Sequence, residues 1–143
     1  MILRMKKVLK EQRGLTLIEL LAVVVILGII AAIAVPAIGN IIEGQKEKTH
    51  KANAIMILDA AKLYWLDNPS QTGNKVTKKE LLGGEDGKGK KYLDNEPIDP
   101  TKNAAYTTVE VEYNDGNPKL TLDEYYKEKL RDDIVKSDKT DKK

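Results

Sequence analysis

Arg13 to Ile42 reads RGLTLIELLAVVVILGIIAAIAVPAIGNII. Its 19 residues from Leu20 to Ile38 contain no charged or polar side chain. As a helix they span about 28 Å at ~1.5 Å per residue, close to the ~30 Å hydrocarbon core of a bilayer. Extending the run from Leu15 to Ile42 leaves room for tilt. A single carboxylate, Glu19, stands at the threshold. Outward toward the N-terminus lie Arg4, Lys6, Lys7, Lys10 and Arg13 against Glu11, a balance of +4. By the positive-inside rule this places the N-terminus in the cytoplasm. The other 129 residues carry 19 basic and 21 acidic side chains, so the net charge of +2 over the 143 residues hides a nearly neutral body. No strong electrostatic attraction for nucleic acid follows. The chain has no cysteine, which excludes disulfides and thiolate metal sites.

Three readings of the apolar run compete. A secretory signal peptide fits the basic front and the small-x-small triplet Ala32-Ile33-Ala34, but the run begins with Glu19 and continues apolar beyond that triplet. A plain membrane anchor explains length and orientation and leaves Glu19 unexplained, since a charge near the bilayer centre costs about 2.5–3.5 kcal/mol. A leader cleaved before the apolar run, between Gly14 and Leu15, explains all three features. The new α-amine would be positive at the head of an apolar helix, and Glu19 lies one helical turn along. Its carboxylate can compensate an amine of its own chain or of a neighbouring helix. Between chains, such a pair is satisfied at only one axial offset and so sets register.

The stretch Arg13-Gly14-Leu15-Thr16-Leu17-Ile18-Glu19-Leu20-Leu21 resembles the processing motif of type IV prepilins and pseudopilins. The resemblance runs to about Ile42 and includes Pro36 in Ala34-Val35-Pro36. It departs at Leu15, where phenylalanine is usual. It implies that a membrane prepilin peptidase removes a basic leader ending at Gly14 and N-methylates Leu15. It further implies assembly into a helical homo-oligomeric filament through the apolar helices, with Glu19 and its neighbour Thr16 at the register point. An assembly platform and ATPase machinery in the cytoplasmic membrane would be partners. The subunit would be single-pass before assembly, and afterwards part of a surface or trans-envelope filament: an adhesion or motility pilus, or a secretion or DNA-uptake pseudopilus. Pro36 removes one helical hydrogen bond and is expected to kink or open the helix; the resemblance places a stretchable segment there. A non-polymerising, membrane-tethered or secreted binding domain is the alternative.

The helix need not stop at Ile42. Ala54, Ile57, Leu58, Ala61 and Trp65 form an amphipathic stripe, and Asn68-Pro69 is a stop signal. A helix from Leu15 to Asp67 would be about 80 Å long at ~1.5 Å per residue, half for membrane or filament and half for a head. Residues 104–113, AAYTTVEVEY, read as a strand. Asn114-Asp115-Gly116-Asn117 is turn chemistry, and Lys119 to Leu122 form the returning strand. Asp123 to Val135 reads as a short helix, N-capped by Asp123, with Leu122, Tyr126, Leu130 and Ile134 on one face. Residues 70–91 read as loop with a turn of helix at Lys78 to Leu82. The expectation is an α+β fold. A leader (1–14) and an apolar helix (15–42) precede a head (43–136) that includes helix residues 43–67. A tail (137–143) without apolar residues is expected to be disordered.

Tyr92-Leu93 and Pro97-Ile98-Asp99-Pro100 also resemble a loop of major pilins and pseudopilins; in some secretion pseudopilins the region just after it binds calcium. Asp94, Glu96 and Asp99 supply hard oxygen ligands, but their spacing matches no calcium loop, and no cofactor is otherwise expected. Gly84 to Lys91 has the Gly-x4-Gly-Lys skeleton of a phosphate loop, with Lys91 where the magnesium-holding hydroxyl belongs. Lys75, Lys78, Lys79, Lys88, Lys90 and Lys91 could touch DNA weakly, multiplied along a filament; a solvated loop is the simpler reading. One histidine, His50, on the polar part of the expected helix, makes no multi-histidine metal site. With no cysteine nucleophile and no Gly-x-Ser-x-Gly elbow, catalysis has little support.

Overall fold

The computed structural model describes residues 16–71, 75–84, 87, 89–114 and 117–137. Helix α1 runs Leu17–Asp67. The chain divides into two compact units, Met1–Glu43 and Gly44–Lys143, and α1 contributes to both. In the first unit the helix is built from Leu, Ile, Val and Ala, and its side chains are exposed almost throughout. The expected stop is where it ends: the Asn68 backbone N–H and side-chain amide both donate to the Tyr64 carbonyl at 2.9 Å, and Pro69–Gln71 continues as a 3-10 turn.

The second unit is the head. After α1 come β1 (Lys75–Thr77), α2 (Lys78–Leu81), β2 (Ile98–Asp99), β3 (Ala104–Ala105), β4 (Val109–Asn114), β5 (Asn117–Leu122), β6 (Tyr126–Leu130) and α3 (Arg131–Lys136). An antiparallel sheet has the order β1-β4-β5-β6, and β2 pairs with β3 apart from it. Strand alternation decides what faces the helix. Val76, Val111 and Leu120 lie in register and are buried, as is the Val109–Leu122 pair. The opposite face carries the Lys75–Glu112–Lys119 row, where opposite charges sit across strands. The whole stripe Ala54, Ile57, Leu58, Ala61 and Trp65 is buried in this core, with Leu81, Leu93, Tyr106 and Ile134 around it. The expected α+β fold, a long helix with a small antiparallel sheet and a short C-terminal helix, is what forms.

Three segments differ from expectation. Residues 70–91, read as loop with one helical turn, also supply strand β1, because Val76 alternates into the core beside Val111. Residues 104–113 do not make one strand: β3 and β4 are separated at Tyr106 to Thr108. Tyr106 turns fully inside, and the Asp123 carboxylate accepts the N–H groups of Thr107 and Thr108. Nor is Asp123 to Val135 a helix. Asp123 adopts φ 43° and caps that neighbouring loop instead of a helix; β6 follows, and only Arg131–Lys136 is helical. The reason is geometric. A four-residue spacing keeps side chains on one face of a helix and of a strand alike. Glu128, at φ 50°, absorbs one extra residue as a bulge between the Leu120–Lys129 and Leu122–Tyr126 pairs. The hairpin turn Asp115-Gly116 lies outside the described residues; Asn114 pairs with Asn117 across it.

Candidate assembly site

At the head of the apolar helix, Thr16 and Glu19 form a reciprocal cap. The Thr16 backbone N–H and hydroxyl donate to Glu19 Oε2 at 2.7 and 2.9 Å, and the Glu19 N–H reaches back to Thr16 Oγ1 at 3.4 Å. This is a capping box, which satisfies otherwise orphaned N–H groups of the first turn. The carboxylate at the threshold therefore has a local partner that sequence reasoning missed, although the Thr-x-x-Glu spacing announces it. The same spacing recurs at the start of α2, where Thr77 donates from its N–H and hydroxyl to Glu80 Oε2 at 2.6 and 3.0 Å. Gly14 and Leu15, the expected processing site, lie outside the described residues, as does the leader 1–14.

Beyond the cap the helix presents a continuous apolar cylinder. Leu17 is 86% exposed, Ile33 72% and Val35 67%. Its most apolar window has no buried residue, and the helix is long and apolar enough to cross a membrane. Pro36 lies inside α1; lacking an N–H, it leaves the Ala32 carbonyl without its helical donor. Gly28 and Gly39 open onto free space, so the surface there is shallow. Within the head, α1 keeps a further apolar strip that borders the core. Ala52, Ile55, Met56, Ala60 and Leu63 line an open groove with Tyr92 and Asp59, and Leu66, 77% exposed, continues it.

The three acidic residues of the 92–100 loop are not gathered. Asp94 is exposed. Glu96 pairs with Lys78 at 2.6 Å. Asp99 is buried and organises its own loop: its Oδ1 accepts the N–H groups of Thr101 at 2.7 Å and Lys102 at 3.1 Å and the Tyr125 hydroxyl at 3.4 Å. Burial pushes this carboxyl up, and those donors together with His50 outweigh it, holding it below the ordinary carboxylate value. Among the described residues no three His, Cys, Asp or Glu side chains are placed to hold a metal ion.

The lysines expected to form a basic loop are partly neutralised. Lys75 pairs with Glu110, Lys78 with Glu96 and Lys90 with Asp67. The glycines of the phosphate-loop skeleton have local reasons: Gly84 adopts φ 81°, and Gly89 is closely packed. The Gly89 N–H donates to the Gly83 carbonyl at 2.8 Å, and a Cβ on Gly89 would lie 2.7 Å from that oxygen. His50 is not on a polar face, contrary to the expectation. It is 5% exposed, bonded to Tyr106 and Thr101 and stacked on Tyr125.

Residues 9–35 match the family model of the prokaryotic N-terminal methylation motif. The chain is 38% identical over 101 residues to the type II secretion system core protein G of Pseudomonas aeruginosa, covering 66% of this chain and 71% of that protein. It is 40% identical over 85 residues to the type IV major fimbrial protein of Dichelobacter nodosus, covering 57% of this chain and half of that one. Over 63 residues it is 41% identical to core protein G of Dickeya chrysanthemi, covering 41% of this chain and 39% of that one. No solved structure gives a significant match.

Proposed function

Since the chain belongs to the type IV pilin and pseudopilin family, whose members build pilus-like filaments, we propose how its residues carry out that role. The chain is inserted in the cytoplasmic membrane with residues 1–14 on the cytoplasmic side. The prepilin peptidase cuts between Gly14 and Leu15 and methylates the new amine, and an assembly platform with its ATPase transfers the subunit into a filament. The longer alignment, to a secretion core protein, favours the secretion branch over an adhesive or motile pilus.

The observation that carries this reading is the wholly exposed apolar half of α1 with the Thr16–Glu19 cap at its head. A cylinder of that kind needs lipid or other helices around it. In lipid, helices gain from close packing and from satisfied polar groups, not from hydrophobic burial. The Thr16 bonds fall on Glu19 Oε2, and Oε1 takes no part in them. Glu19 can thus keep its cap and still receive a cationic amine, its own or that of a neighbouring subunit, at a single axial offset. Pro36 supplies a point where the helix adjusts as subunits are drawn from the membrane. The groove of Met56, Leu63 and Leu66 meets neighbouring subunits within the filament. The role is mechanical, with no reaction catalysed by the chain. The test is Glu19→Ala: membrane insertion stays at the wild-type level and filament yield collapses. Filaments at normal yield from this variant would refute the register role.

A further inference from the structure

His50, the chain's single histidine, is the centre of a buried polar cluster in the head. Its Nδ1 lies 2.7 Å from the Tyr106 hydroxyl and its Nε2 lies 3.0 Å from Thr101 Oγ1. The direction of these bonds follows from their neighbours. The Asn53 amide nitrogen donates to the Ile98 carbonyl at 2.9 Å and to the Tyr106 oxygen at 3.3 Å. A carbonyl only accepts, so this end of Asn53 is the donor end. The Tyr106 oxygen is then an acceptor toward Asn53, and its proton is aimed at His50 Nδ1. The ring is neutral with its hydrogen on Nε2, which donates to Thr101. His50 and Asn53, both on α1, thereby hold Ile98, Thr101 and Tyr106, that is, residues 98–106.

A second ring proton cannot be accommodated in this arrangement. It would sit on Nδ1, facing the Tyr106 O–H. If the hydroxyl turned round to accept it, its own hydrogen would need another acceptor. Asn53 offers a donor on that side, and Tyr106 is fully buried from water. The charged and titratable groups around the ring come from every element packed on it. Asp99, 3.7 Å from Nε2, and Lys102, 4.0 Å from Asp99 Oδ2, come from the 98–103 loop. The phenols of Tyr106 and Tyr125 stand at 5.8 and 3.7 Å between ring centres. Glu47 lies on the same helix. Burial lowers the His50 pKa, the attraction of Asp99 and Glu47 opposes that shift, and Lys102 adds to it; the net direction is down.

We propose that His50 is a proton-operated clasp: protonation of its ring breaks the Tyr106–Nδ1 bond and loosens the hold of α1 on residues 98–106 while the helix–sheet core stays folded. The proton is the ligand and the loop is the responding element. The device does not depend on how the chain assembles.

With one histidine, ring NMR of the uniformly labelled full chain in detergent micelles is unambiguous. At pH 7.5 the ring shows the neutral Nε2–H tautomer. As the pH is lowered it protonates with a midpoint below the ordinary value of ~6.5. Amide exchange, corrected for its intrinsic pH dependence, is followed in parallel. Protection of the Thr101, Lys102, Asn103 and Tyr106 amides falls about tenfold with the midpoint of the ring, the worth of one or two net hydrogen bonds. The β4–β5 amides of Val111 and Leu120 keep theirs. The Asp99 carboxyl, held below its ordinary value, stays ionised through this window. In His50→Gln, loop protection becomes independent of pH. The wild-type titration decides the matter whether or not that variant folds. A ring midpoint at or above ~6.5, a hydrogen on Nδ1 at pH 7.5, or loop protection that ignores the ring's midpoint each overturns the clasp.

Discussion

Leu58 and Leu66 stand on the same helix two turns apart, and truncating each to alanine should give opposite results. Leu58 is fully buried against the sheet, whereas Leu66 is 77% exposed. Leu58→Ala removes three buried carbons, about 2.4 kcal/mol of transfer free energy at ~0.8 per carbon. The cavity left in the core between α1 and the sheet adds to that, for a total of about 3–4 kcal/mol. For a head of this size each kcal/mol moves the midpoint by roughly 4–8 °C, so Tm falls by about 12–30 °C. Leu66→Ala stays within ~0.5 kcal/mol. The assay is thermal unfolding of the full chain in detergent, followed by the fluorescence of Trp65. That side chain is the only tryptophan, and it is buried beside Tyr113 at 4.9 Å between ring centres. The signal therefore reports the head and not the membrane half. Equal shifts for the two variants, or a Leu58→Ala shift below about 1 kcal/mol, would refute the packing of α1 on the sheet.

Three further outcomes follow from the site. Met56→Glu with Leu63→Glu places two charges in the exposed groove, so filament yield drops severalfold while the Trp65 melt moves by less than ~1 kcal/mol; normal filaments would remove the groove from the interface. Head stability should fall as pH is lowered, in two stages. His50 and Asp99 both have pKa values lowered in the folded head, so the unfolded chain binds their protons more readily. The His50 contribution is complete above ~6.5 and is lost as pH falls through its lower folded value. The Asp99 contribution is lost only below ~3.9. Denaturant melts from pH 8 to 3 read this, and stability that rises between pH 7 and 5 would contradict it. Finally, calcium or a chelator leaves the Trp65 melt unchanged, because Asp94, Glu96 and Asp99 are not gathered: Asp94 is exposed, Glu96 pairs with Lys78 and Asp99 Oδ1 holds loop N–H groups; a calcium-dependent rise of several degrees would show a site that these residues do not reveal.

Much of this architecture is legible in the sequence because its main elements carry strong periodic signals. The apolar run, the Ala54-to-Trp65 stripe and the Asn68-Pro69 stop each specify a helix or its end without tertiary information. The hairpin around Asn114 to Asn117 is equally local. What escapes is set by contacts distant in sequence. The four-residue spacing of Tyr126, Leu130 and Ile134 fits a helix and a bulged strand equally, and only pairing with β5 selects the strand. His50 looks polar by its helical neighbours Thr49 and Lys51, yet it is drawn inside by Tyr106 and Tyr125, more than 50 positions away. At the assembly site the limit was different. Thr16-x-x-Glu19 and Thr77-x-x-Glu80 were readable as capping boxes, but the thresholds of a bilayer helix and of a four-residue helix draw attention to charge and length before capping.

The proposed role requires that the chain be matured at Gly14–Leu15 and built into a filament through the helix that follows. The N-terminal residue and intact mass of the protein from native cells, with and without the prepilin peptidase, test it most directly. The expected result is a start at N-methylated Leu15 that is lost when the peptidase is absent. A start at Val35 would mean a secreted soluble protein and an intact Met1 a simple anchor, and either would contradict it.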